Sequence, residues 1–133
     1  MSQRYMLDTN VVSHIMQGRD AGLLQKLVAV PVGSVVISSV TLAELEYGWH
    51  RKGCPVRLKN AIDQMLLLVD VLPWDEAAAR CYGKLCADWE ARGINFSDMD
   101  MMIAAHAVQC GATLVSRDKA FAQVPGRLRL EVW

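Results

Sequence analysis

The run Tyr5-Met6-Leu7-Asp8-Thr9-Asn10-Val11-Val12 decides how the rest of the chain is read. Three apolar or aromatic residues make a short strand, an acid follows at once, and an apolar-periodic stretch continues through Met16 to Gly18. A strand handing over directly to a helix is the opening of an alternating β/α chain. The unit recurs. Val35-Val36-Ile37-Ser38 is a β-branched strand, and Thr41 opens a helix reaching Trp49. Val69-Asp70-Val71-Leu72, closed by Pro73, leads to an alanine-rich helix from Asp75 to Ala91, and Thr113-Leu114-Val115 leads to a short helical turn from Asp118 to Gln123. Further helices are expected from Ala21 to Val30, from Leu58 to Leu68 and from Ser97 to Gly111, with a last strand from Arg127 to Val132. Strands separated by helices in this way describe an α/β fold, a mostly parallel central sheet with helices on both faces. Ligands of such sheets bind in the crevice outside the carboxyl ends of the strands.

Composition agrees and narrows the class. The 133 residues are 53% hydrophobic, enough for a genuine core, and show no repeat or linker, so residues 1–133 are expected to form one domain. No apolar run reaches the ~18 residues of a membrane span, and no apolar stretch of signal-peptide length precedes the first acid; a cytoplasmic protein without a membrane partner is expected. The cysteines Cys54, Cys81, Cys86 and Cys110 and the histidines His14, His50 and His106 show no zinc spacing. With 14 basic and 14 acidic residues the formal charge is zero, so composition alone does not suggest a nucleic-acid partner.

That suggestion comes from four acids. Asp8, Glu44 and Asp118 each follow a strand, and a parallel sheet brings them out on one edge. Each also has a local explanation. Asp8 and Asp118 suit helix N-caps, and Thr41-Leu42-Ala43-Glu44 and Ser97-Asp98-Met99-Asp100 suit capping boxes. Carboxylates gathered on one edge repel, however, and call for a cation. Oxygen ligands without His or Cys favour a hard ion, Mg²⁺ or Mn²⁺. Asp98 and Asp100 lie ~200° apart around a helix, so both cannot enter one site. Asp100 is in register with Ile103, Ala104 and Ala107, which leaves Asp98 at most a secondary ligand.

Four blocks, Met6 to His14, Ile37 to Gly48, Asp100 to Ala107 and Leu114 to Phe121, resemble the signature blocks of PIN-domain ribonucleases, most nearly the VapC-type toxins of bacterial toxin–antitoxin pairs. The resemblance runs almost end to end, through Glu131-Val132-Trp133. It implies a PIN-like fold in which Asp8, Glu44, Asp100 and Asp118 are catalytic, metal-site carboxylates. It further implies that the Thr9 hydroxyl supports the site and that Asn10 orients Asp8 or the nearby backbone. The function it implies is Mg²⁺- or Mn²⁺-dependent endonucleolytic hydrolysis of RNA, in several relatives structured RNA such as tRNA. It also implies a homodimer inhibited by a cognate antitoxin protein.

Two rival readings remain. In one, a non-catalytic interaction domain keeps its acids only as helix caps around a vestigial metal site. In the other, a phosphatase or phospho-acceptor receiver sits on a doubly wound sheet, but Asp8-Thr9-Asn10 lacks the Asp-x-Asp or acid pair such proteins want after the first strand. Arg117 and Lys119 beside Asp118, and Arg19, Arg51, Lys52 and Arg57 near loops, are candidate phosphate contacts. Met99, Met101 and Met102 suit either core packing or an adaptable surface, and Trp49 and Trp74 either the core or a partner's groove.

Overall fold

A computed structural model describes residues 3–124, 126 and 128–133. In chain order the elements are β1 (Tyr5–Leu7), α1 (Thr9–Gln17), α2 (Ala21–Ala29), β2 (Val35–Ser38), α3 (Ser39–Arg51) and α4 (Val56–Leu68). They continue with β3 (Asp70–Leu72), α5 (Glu76–Ala91), α6 (Asp98–Gln109), β4 (Thr113–Val115), a 3-10 turn (Lys119–Gln123) and β5 (Arg129–Glu131). The expected last strand began at Arg127, which lies outside the described residues.

The strands pair in the order β3-β2-β1-β4-β5, every pair parallel. Alternation along the strands sorts their side chains to two faces. Met6, Val36 and Leu114 pack on one side with Leu85 and Trp89 of α5 and Ile103 and Ala104 of α6. Leu7, Val35, Ile37 and Val115 pack on the other with Val11 and Val12 of α1, Leu23 of α2 and Ile62 and Met65 of α4. Because both faces are covered, β2 and β4 are buried at every residue, consistent with their mostly apolar sequences. The first strand sits at the centre of the sheet, so Asp8 leaves it at mid-edge.

Most helices start on a side-chain cap that the sequence announces. Asp20 accepts the Leu23 N–H, Asp75 the Ala78 N–H and Ser97 the Asp100 N–H. One start differs from expectation. α3 begins at Ser39 rather than Thr41, because Ser38 at the strand's end takes the capping role, its Oγ accepting the Val40 N–H at 3.1 Å. Thr41 is therefore fully buried within the helix and Glu44 lies a turn beyond the cap, so the expected Thr41–Glu44 capping box does not form.

Ser38 is fixed in turn by His106 of α6, whose Nδ1 lies 2.8 Å from the Ser38 Oγ. His106 is buried, and burial lowers its pKa below the ordinary value against a smaller opposing pull from Asp75. Below about pH 6.5 the unfolded chain therefore takes up this proton more readily than the folded one, and stability is lost as pH falls. Urea midpoints measured between about pH 5 and 7 should decline toward acid. His106→Gln should flatten that slope, and an equal slope in the variant would refute the assignment.

Candidate active site

Asp8 is the N-cap of α1, and its two oxygens are held from two directions. Oδ1 accepts the Val11 N–H at 2.9 Å, and Oδ2 accepts the Ser116 hydroxyl at 2.5 Å. The Asp8 N–H is itself bonded to the Val115 carbonyl at 3.1 Å, so the ends of β1 and β4 are tied together at this acid. Asp8 is only 3% exposed. Its pKa is raised, mainly by burial; the Ser116 and Val11 hydrogen bonds pull it down, while the charges of Asp100 and Asp118 push it further up. A buried carboxylate that senses two other acids is what a crevice of unbalanced negative charge produces.

Ser116 links two of these acids. Fully buried after β4, it donates to Asp8 and accepts the Asp118 N–H at 3.0 Å. Asp118 caps the following 3-10 turn through the Ala120 N–H at 2.9 Å and stands exposed at the rim. Asp100 is half-buried in the first turn of α6, and among the described residues its carboxylate accepts no hydrogen bond. Asp98, two residues earlier, is exposed and acts instead on Tyr82 and Cys86 of α5, whose pKa values it helps to raise. The helical spacing thus separates the pair as expected, with Asp100 toward Asp8 and Asp98 away from it.

Glu44 enters by a different route. Its Oε1 accepts the Thr9 hydroxyl at 2.6 Å, and the Thr9 oxygen lies 3.1 Å from the Thr41 hydroxyl. Thr9 has a single proton to give, and the shorter bond to the carboxylate takes it, so Thr41 donates to Thr9. The result is a relay Thr41–Thr9–Glu44 beside Asp8. Asn10 is exposed and its side chain makes no hydrogen bond among the described residues, so the orienting of Asp8 expected of Asn10 falls to Ser116 and the Val11 N–H.

The sequence reading missed Ser116 and Thr41 as site residues. The available signal was a hydroxyl at a strand's end two residues before an acid, a weak one on its own. Arg117 also departs from expectation. Its guanidinium bonds the Asp20 carboxylate at 2.6 Å and the Trp133 main-chain oxygen at 3.0 Å, tying α2 to the end of β5. Trp49 donates to the Pro55 carbonyl and Trp74 to the Met102 carbonyl, and both pack against the core. Met101 lies in the core, while Met99 is exposed.

The donor set is all oxygen, which suits a hard divalent cation. Among the described residues no three acidic, histidine or cysteine side chains converge closely enough to hold an ion as they stand. The charges of Asp100 and Asp118 both push the Asp8 pKa up, and a cation among them would offset that. The residues therefore fit such an ion in chemistry and in placement at one sheet edge.

Comparison with known proteins places this geometry. Residues 5–127 match the family model described as the PIN domain. The chain is 33% identical over 130 residues to the tRNA(fMet)-specific endonuclease VapC of Shigella flexneri, covering 98% of both chains. It is 33% identical over 131 residues to ribonuclease VapC2 of Haemophilus influenzae, again covering 98% of both. Among solved structures, DNA-bound VapBC of Salmonella typhimurium matches with a TM-score of 0.91 at 28% identity, covering 99% of each chain. VapBC2 of Rickettsia felis, bound to a DNA fragment from its promoter, matches with a TM-score of 0.91 at 28% identity, covering 98% of this chain and 99% of that one.

Proposed function

The chain belongs to the PIN-domain family and to its VapC branch, and from that premise we propose that it is the toxin endoribonuclease of a toxin–antitoxin pair, hydrolysing RNA phosphodiester bonds with Mg²⁺ or Mn²⁺. One observation carries the reading: the charges of Asp100 and Asp118, brought from two distant parts of the chain, both bear on the buried Asp8 at the carboxyl edge of the sheet. Residues 1–133 act as one catalytic domain in this reading. The cognate antitoxin is the inhibitory partner, the active form is a homodimer, and tRNA is the favoured substrate class. The matched tRNA(fMet)-specific endonuclease supports the tRNA assignment, and the VapBC complexes support the antitoxin assignment.

In this mechanism Asp8, Asp100 and Asp118 hold the ion, with Glu44 completing the acid edge. Bound there, the ion would polarise the scissile phosphate and acidify the attacking water. The protein's own part is positional. Ser116 and the Val11 N–H keep the Asp8 carboxylate in a single orientation, so no reorganisation is needed when charge develops. Thr9 holds Glu44 in the same way, and Asp118 at the open rim is accessible to substrate and water.

The test is an RNA cleavage assay on purified protein with Mg²⁺, with Mn²⁺ and with EDTA. Cleavage is expected with either metal and none in EDTA. Cleavage that survives EDTA overturns the metal mechanism, and failure to cleave any RNA favours the non-catalytic interaction domain.

A further inference from the structure

Between α1, α3 and α4 the surface opens into two connected hollows. The inner one begins at the Glu44 end of the candidate site, lined by Thr9, Ser13 and Glu44, and runs over an apolar floor that includes Leu45 and Ile62. Gly48 forms part of its wall. The outer hollow shares Met16, Gln17, Lys52, Leu58 and Ala61 with the inner one and adds Arg19 and Arg57. The two form one track from the Glu44 carboxylate to the cations, with Lys52 at the junction.

The cations of this track stand apart from several others in the chain. Lys59, Arg80, Arg92 and Arg117 each form an ion pair with an acid. Among the described residues Arg19, Lys52 and Arg57 form none, and all three are exposed. In a chain of zero net charge, three unpaired cations around one hollow are a local excess. Such an excess next to an acidic, cation-attracting site suits a polyanion whose scissile phosphate meets the ion while neighbouring phosphates meet the basic end. The apolar floor between them suits the faces of unstacked bases.

We propose that this track is the path of single-stranded RNA leaving the acid site, with Arg19, Lys52 and Arg57 as its phosphate contacts. The proposal rests on the RNA-cleavage reading above and names the residues that position the substrate for it. These are positioning residues, so their loss should affect substrate capture rather than the chemical step.

The experiment compares wild type with the combined variant Arg19→Gln, Lys52→Gln and Arg57→Gln in steady-state cleavage of unfractionated tRNA with Mg²⁺. We expect KM to rise on the order of 10-fold with kcat within a factor of about 2, and the slope of log(kcat/KM) against log[salt] to become shallower by about 2, since each single-strand phosphate contact contributes about 0.7. Lys84→Gln, removing an exposed cation of α5, should change neither. An unchanged KM and salt slope would overturn the proposal and leave the track to a protein segment, as would an equal effect of Lys84→Gln. Fluorescence anisotropy of a labelled single-stranded RNA, with Asp8→Asn added to both proteins, separates the two levels. If wild type cleaves no RNA, the proposed function falls, yet weaker RNA binding by the combined variant would still support the track and equal binding would overturn it.

Discussion

Asp8→Asn lowers RNA cleavage by about 10³-fold or more while leaving the metal-free protein folded and no less stable than wild type. The two halves of that expectation have one cause. Asparagine keeps the shape and an oxygen for the Val11 N–H, so the start of α1 is still capped. What it removes is the charge that, in the proposed mechanism, attracts the ion. In the folded protein that charge is unfavourable without a cation, because burial, Asp100 and Asp118 raise the Asp8 pKa above its ordinary 3.8. The unfolded chain therefore releases this proton at lower pH than the folded chain. Stability linked to Asp8 is full at low pH, falls as pH rises through the window between the two values, and stays reduced at neutral pH. A neutral amide avoids that loss. Thermal melting and single-turnover cleavage, measured together, should move in opposite directions. Saturating Mg²⁺ should raise the melting temperature of wild type more than that of the variant. An active variant would remove Asp8 from the mechanism, and an unfolded one would reduce it to a structural cap.

Ser116→Ala should lower cleavage by about 10- to 100-fold, the range typical of residues that orient a metal ligand. Two bonds vanish at once: Asp8 loses the donor to Oδ2, and the Asp118 N–H loses its acceptor. Both groups sit at the site, and leaving buried polar groups unpaired should cost about 1–3 kcal/mol of folding stability in urea titrations. A purely structural role would stop there. The positioning role adds a signature, because the Ser116 bond lowers the Asp8 pKa, and its loss moves the acid limb of the pH–rate profile to higher pH. The deficit should therefore narrow as pH rises. A deficit that does not vary with pH would assign Ser116 to structure alone.

The parts of this molecule that obey local rules were legible in the sequence. Apolar runs bounded by Gly33, Pro73 and Gly111 marked strands and helices, and the 100° step of a helix separated Asp100 from Asp98 before any coordinates. The carboxyl-edge rule pointed to Asp8 and Asp118. What local rules could not supply was the choice between equally competent residues. Ser38 and Thr41 can each start a helix, and the contact of Ser38 with His106, 68 residues away, accompanies the choice of Ser38. Ser116 is one serine among several until its bond to Asp8, 108 residues away, gives it a role. Arg117 looked available for substrate beside Asp118, but the fold brings Asp20, 97 residues distant, within 2.6 Å of it. Each misreading is a tertiary contact overriding a sound local inference.

The central position of β1 bears on when this activity can arise during synthesis. Tyr5, Met6 and Leu7 pair with Thr113, Leu114 and Val115, so β1 is completed only by a strand far later in the chain. Such long-range closure is slow and late in folding. A nascent or truncated chain ending before Ser116 and Asp118 has the carboxylate of Asp8 but neither its hydroxyl partner nor the acid at the rim. No such fragment contains the complete site. On the proposed reading, catalytic competence thus requires a chain that extends at least through Asp118.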